Sequence, residues 1–165
     1  MYSLEELELK ARCGAFSIFD MQVFVPEVRK LKVGQVYVEV GVDKGKSLSI
    51  ARMSAKRGVI IYGIDLKENP GVNGTIFMQD DSTKVFLGKK VDLLFIDGDH
   101  TYEGCSADIA NWYPQMKKHG VMLFHDYDEP TSPGVFKAVN EFAEAHKLKI
   151  DKPTTQRYSL ARIKL

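Results

Sequence analysis

The feature that most constrains this chain is a series of short apolar runs at residues 36–40, 59–65, 75–78, 91–96 and 121–124. Each is shorter than a typical buried helix, and most are rich in β-branched residues, so each reads as a buried strand. Helical patterns fill three of the gaps. Residues 46–57 stripe Leu48, Ala51 and Ala55 on one face, with Gly58 just beyond. Residues 101–113 stripe Tyr102, Cys105, Ile109 and Trp112. Ser132 and Pro133 read as cap and first turn of a helix with Val135, Val139, Phe142 and Ala143 inward. Strands alternating with helices mean an α/β fold, a mostly parallel sheet with helices on both faces. Two last strands, 148–150 and 158–163, lie so close in sequence that they predict an antiparallel hairpin at one edge.

The chain has 165 residues, 44% of them hydrophobic and 27% charged, with a formal net charge of +1. These values predict one soluble domain with a real core. Lys and Arg are spread without a dense basic block, which argues against a nucleic-acid partner. No apolar run approaches membrane-spanning length, so no membrane partner is expected. Cys13 and Cys105 lack metal-ligand spacing and fit a reduced, cytoplasmic setting. Within the single domain, residues 1–32 read as an amino-terminal helical cap and 33–165 as the core. Residues 3–12 have the spacing of a short acidic helix. Residues 14–25 are apolar without a clean period, which leaves open a core cap, a pocket wall or a subunit contact in a homodimer.

In an open parallel sheet, ligands sit outside the carboxyl ends of the strands. Here those ends carry chemistry. The run 93–96 breaks into Asp97-Gly98-Asp99-His100, and the run 121–124 into His125-Asp126-Tyr127. Two neighbouring strand ends of this kind place carboxylates and imidazoles over one pocket, suited to a general base, a divalent metal, or both. At the end of the first strand stands Glu39-Val40-Gly41-Val42-Asp43-Lys44-Gly45. Gly41 and Gly45 let the backbone approach a ligand closely. Asp43 occupies the middle glycine position of the dinucleotide fingerprint, which weighs against a nicotinamide-dependent oxidoreductase. Glu39 and Asp43 favour a ligand with positive charge, such as a sulfonium and an α-ammonium group. Asp65, ending the second strand, has the position of an acid that accepts ribose hydroxyls. Asp80, Asp81 and Ser82, after the third strand, are placed to reach an adenine amino group.

Three motifs, Val38 to Ser47, Phe95 to Tyr102 and Gly120 to Tyr127, resemble V-E-V-G-x-x-x-G-x-S, F-I-D-G-D-H-x-Y and G-x-x-x-F-H-D-Y of class I S-adenosylmethionine-dependent methyltransferases. The resemblance covers residues 33–165. It implies a Rossmann-like three-layer sandwich with a seven-stranded sheet, order 3-2-1-4-5-7-6, strand 7 antiparallel. It implies S-adenosylmethionine as cofactor, held by Glu39, Gly41, Gly45 and Ser47 at the methionine end. Asp65 would take the ribose, and Asp80, Asp81 and Ser82 the adenine side, with Asp97 adjoining. It also implies a small hydroxylated acceptor, a sugar or metabolite. His100 matches the base position of related sugar O-methyltransferases, with His125 second and Asp97 as orienting acid. Asp97, His125 and Asp126 match a divalent-metal set. With His at 125, Mg²⁺ is less well matched than an ion such as Mn²⁺ that accepts imidazole. A domain that binds the nucleoside without turnover is the remaining alternative.

Overall fold

Strand β1 (Val36–Val40) is buried along its whole length, and strand β4 (Val91–Ile96) likewise, because both lie inside the sheet with helices on either side. The computed structural model describes residues 1–153 and 160–165. Around this centre stand β2 (Ile60–Asp65), β3 (Ile76–Gln79), β5 (Met116–Phe124), β6 (Ile150–Asp151) and β7 (Ala161–Lys164). The sheet order is β3-β2-β1-β4-β5-β7-β6, with β7 antiparallel to both neighbours and the other pairings parallel. This is the Rossmann-like order that the resemblance implies. Tyr158 and Ser159, at the start of the last predicted strand, lie outside the described residues.

Side chains alternate along each strand and so divide the core in two. Val38, Val40, Leu94, Ile96, Met122 and Phe124 face helices α4 (Tyr102–Trp112) and α5 (Pro133–Ala145). Tyr37, Ile61, Leu93, Phe95 and Leu123 face α1 (Leu4–Lys10), α2 (Ile18–Lys30) and α3 (Lys46–Ser54).

Helix α2 is the main element that periodicity misses. Its buried residues include Asp20, Met21, Val23, Phe24, Val25, Glu27 and Val28, more than half the circumference. A helix buried that broadly shows no narrow apolar stripe. Its apolar residues are used in the chain's own core, where Phe24 sits edge-on to Tyr37 and Phe95. Buried Glu27 accepts from Arg162 of β7 at 2.5 Å and ties the helix to the sheet. A capping box starts α2: the Ser17 hydroxyl accepts from the Asp20 amide at 3.3 Å, while the Asp20 carboxylate accepts from the Ser17 amide at 2.8 Å. Ser17→Ala is expected to lower stability by about 1 kcal/mol, read from the urea midpoint at constant slope.

Other boundaries differ from the predicted ones. Helix α3 stops at Ser54, and Gly58 serves instead the turn into β2, with φ +88°. Strand β5 begins at Met116 rather than 121, with its register against β4 broken between Val91 and Leu93. Ser132 does precede α5, but its side chain makes no capping hydrogen bond. Phe142 is only partly buried, and the inward stripe takes Ala138 in its place.

Candidate active site

The carboxyl ends of β1, β2, β4 and β5 open onto one cleft of about 560 Å³. That volume lies within the usual range of small-molecule sites, about 300–1,000 Å³. Gly41, Ser47, Asp65, Asp80, Asp81, Ser82, Asp97, His100, His125 and Asp126 all line it. Glu39 and Gly45 do not.

Glu39 lies under the cleft, fully buried. It accepts from the Ser47 hydroxyl at 2.6 Å and from Tyr37 at 2.5 Å. Burial, only partly offset by those hydrogen bonds, pushes its carboxyl up to about 8. It meets the cleft through Ser47, which lines it. Gly41 lines the cleft and also has a structural task. Its φ is +82°, and a Cβ there would stand 2.0 Å from the Asp97 carbonyl oxygen. The glycine lets the tips of β1 and β4 touch. Asp65 holds the β1 loop: its Oδ2 accepts from the Val42 and Asp43 amides at 2.7 and 2.8 Å, and its Oδ1 from the Lys67 amide at 2.8 Å.

Two of the acids after β3 are occupied locally. Asp81 accepts from the Thr83 amide and hydroxyl at 3.0 and 2.6 Å and pairs with Lys84 at 2.8 Å. These contacts, the Lys84 hydrogen bond foremost, hold its carboxyl down at about 2. Asp80 accepts from the Asp81 amide at 2.8 Å.

The acid–imidazole group forms across β4 and β5, as the strand ends predict. His100 Nε2 lies 3.4 Å from Asp97 Oδ1 and 3.3 Å from Asp126 Oδ2. His125 Nδ1 lies 3.1 and 3.2 Å from the same two oxygens, and its Nε2 is 3.6 Å from Asp20 Oδ2. Burial works against charge on His125, but Asp126, Asp20 and Asp97 outweigh it and raise the imidazole to about 12. Carboxylates thus face both nitrogens of His125, which belongs to the sequence-based metal set of Asp97, His125 and Asp126. Ligand atoms of Asp97, His100 and Asp126 come within 4.8 Å of one another and form the set that fits a divalent ion. His100, half-exposed, is raised by its hydrogen bond to Asp97, with burial opposing and Asp126 adding to the rise.

Sequence reasoning missed two contributors, Asp20 and Asp108, and left the part of Phe16 open among the alternatives for residues 14–25. Asp20 reaches His125 from α2; its signal was the Ser17-to-Asp20 capping spacing. Phe16 stacks 5.8 Å from the His125 ring, centroid to centroid, and with Gly14 and Ala15 walls the cleft. Asp108, on α4, also lines the cleft although only 3% exposed. It is an acid embedded in the apolar stripe of Cys105, Ile109 and Trp112.

Comparison with known proteins agrees with this architecture. An uncharacterized protein of Acanthamoeba polyphaga mimivirus is 34% identical over 128 residues, covering 64% of this chain and 58% of that protein. The chain thus spans less than two thirds of that relative's length. Among solved structures, the TDP-rhamnose 3'-O-methyltransferase CalS11 of calicheamicin biosynthesis superimposes with a TM-score of 0.69 at 16% identity, covering 87% of this chain and 76% of that one. The MycE methyltransferase, in complex with Mg and S-adenosylhomocysteine, gives 0.70 at 19% identity, covering 99% of this chain and 55% of that one. At such identities the likeness speaks for the fold. The sequence pattern of the methyltransferase domain family matches residues 38–127, from the first strand through both halves of the acid–imidazole group. On that match, which takes in more than half of its residues, the chain belongs to the methyltransferase domain family.

Proposed function

We propose that this protein transfers the methyl group of S-adenosylmethionine to a hydroxyl of a small acceptor, with His100 as general base. The observation that carries the reading is the meeting of Asp97, His100 and Asp126 at the edge of a nucleoside-sized cleft. The acceptor oxygen attacks the methyl carbon as the carbon–sulfur bond breaks, and the hydroxyl proton passes to His100. Asp97 and Asp126 both face Nε2, so they favour the tautomer protonated there and leave Nδ1 as the basic nitrogen. His125, packed between Asp97, Asp126 and Asp20, sets the two carboxylates in place. Alignment of acceptor and donor supplies most of the acceleration, since the sulfonium is already activated. The wall of Gly14 to Phe16 is the natural place for acceptor recognition.

The relative named for TDP-rhamnose methylation supports an O-linked acceptor such as a sugar. A divalent ion, of which the Mg in MycE is the precedent, would sit on Asp97, His100 and Asp126 and lower the pKa of the acceptor hydroxyl. An ion on His100 removes that ring as base, so the two roles exclude each other.

The test is calorimetry with S-adenosylhomocysteine, followed by transfer of labelled methyl from S-adenosylmethionine to a panel of sugars and phenols. Binding heat with a labelled product supports the proposal. Binding without any turnover points to a non-catalytic domain, and no binding removes the proposal altogether. With the acceptor found, His100→Ala is expected to lower kcat about 100-fold while leaving S-adenosylhomocysteine affinity unchanged. Undiminished activity after chelation, with no metal co-purifying, dismisses the metal.

A further inference from the structure

We infer that the end of the sheet opposite the cleft is a docking surface for an anionic lipid bilayer, with lysines on the headgroups and Val33 and Phe86 entering between them. Lys and Arg are scattered along the sequence, but the topology gathers them. Parallel strands share one amino-terminal edge, and β2, β1, β4 and β5 lie side by side in that order. Lys56 and Arg57 precede β2, Lys32 precedes β1, Lys89 and Lys90 precede β4, and Lys118 lies near the start of β5; all six are exposed. The segments that carry them touch. The Gly34 amide donates to the Gly58 carbonyl at 2.9 Å, and Lys90 Nζ to the Pro114 carbonyl at 2.7 Å. At about 4.8 Å between neighbouring strands, the row runs about 14 Å across. Two acids at this end are buried and already engaged: Asp92 accepts from Lys117 and Glu27 from Lys30, each at 2.7 Å. Exposed acids at this end, such as Glu144 late in α5, stand on the helix layers, outside the row.

Helix ends attract cations, and that accounts for Lys56 and Arg57, which follow α3. It does not account for Lys89 and Lys118, in a loop and in a strand. Their side chains make no ion pair or hydrogen bond among the described residues. Two apolar side chains stand out of the same end. Val33 covers the turn into β2, where a Cβ on Gly58 would lie 2.9 Å from it. Phe86 belongs to the loop that carries Lys89 into β4. They are 73% and 79% exposed. A row spread over strand ends, with apolar side chains projecting from it, suits a plane of headgroups better than a nucleic-acid strand, which is held in a groove. Such contact requires no spanning segment, and no helix among the described residues is long and apolar enough to be one. The net charge of +1 conceals two ends of opposite sign, because Asp65, Asp80, Asp97, Asp99 and Asp126 all line the cleft. An anionic surface attracts the basic end and repels the acidic one, which turns the cleft toward water.

The test is co-sedimentation of the full chain with vesicles of phosphatidylcholine, with and without phosphatidylserine. Binding is expected only with phosphatidylserine present, and it is expected to disappear at high salt. Replacing Lys32, Lys89 and Lys118 together by Ala is expected to weaken it about 100-fold. A matched removal of Lys10, Lys84 and Lys137, which lie on other faces, is expected to change it less than about threefold. Phe86→Ser is expected to weaken it about 10-fold. The substituted side chains are all exposed, so the variants keep the fold, which an unchanged urea midpoint confirms. The inference is overturned by absence of binding to the phosphatidylserine vesicles, by equal losses in the two triple variants, or by undiminished binding of Phe86→Ser. Binding to polyuridylic acid by fluorescence anisotropy, with none to vesicles, assigns the surface to nucleic acid and overturns it as well.

Discussion

Gly41→Ala is expected to abolish S-adenosylhomocysteine binding and to lower the unfolding free energy by about 2–5 kcal/mol. Two effects add. A residue with a Cβ at φ +82° sits in the left-handed region, at a cost of about 1–2 kcal/mol. The new carbon also stands 2.0 Å from the Asp97 carbonyl oxygen and 2.7 Å from the Gly98 amide. Backbone, not a flexible side-chain tip, must move to relieve that contact, at about 1–3 kcal/mol more. The displaced segment begins at Asp97, so binding and the acid–imidazole group are disturbed together. Urea denaturation and calorimetry on the same preparation check both parts. A variant with the original midpoint and full affinity would show that the strand tips are not in contact.

Glu39 gives the second large effect, in the dependence of stability on pH. Its carboxyl lies at about 8 in the folded protein, against an ordinary value of 4.5. Below the ordinary value both folded and unfolded chains carry the proton, and no stability is lost. Between the two values the unfolded chain releases its proton while the folded one keeps it, so stability falls as pH rises. Above 8 the loss is complete, and at about 1.4 kcal/mol per unit it amounts to roughly 5 kcal/mol. Glu39→Gln keeps the size and stays neutral, so it is expected to flatten this part of the stability–pH curve. Comparing urea midpoints of the two proteins at pH 5 and pH 9 measures the difference. On the proposed function, a sulfonium above the site favours the ionised form. S-adenosylmethionine is then expected to release more protons at pH 7 than S-adenosylhomocysteine, measured by calorimetry in buffers of different ionisation enthalpy.

Much of this site was legible because parallel sheets gather strand ends. Asp65, Asp97 and His125 each follow a β-rich apolar run, so their neighbourhood was readable before any side chain was placed. Which histidine is accessible was not readable. His125 directly follows β5, as Asp97 follows β4, whereas His100 stands further out, and it is Asp20 of α2 together with Phe16, just ahead of that helix, that covers His125. That helix was itself obscured by its breadth of burial. Asp108 was overlooked for a related reason. An acid among apolar residues on a helix resembles a solvated position until the packing of α4 against the loop after β3 is known. The contacts of Gly41 and Glu39 were hidden for a third reason: close backbone approach and burial are tertiary facts that a motif leaves unstated.

Helix α2 lies wholly outside the stretch that defines the family, which begins at residue 38. A fragment trimmed to that stretch would leave Tyr37 behind and bare Phe95 and Leu123 to water on one side of the sheet. It would also strip the imidazole of its outer anion. The unit that inheritance marks is thus smaller than the unit that folds, and a protein engineer borrowing only the former would obtain sticky, misassembled material.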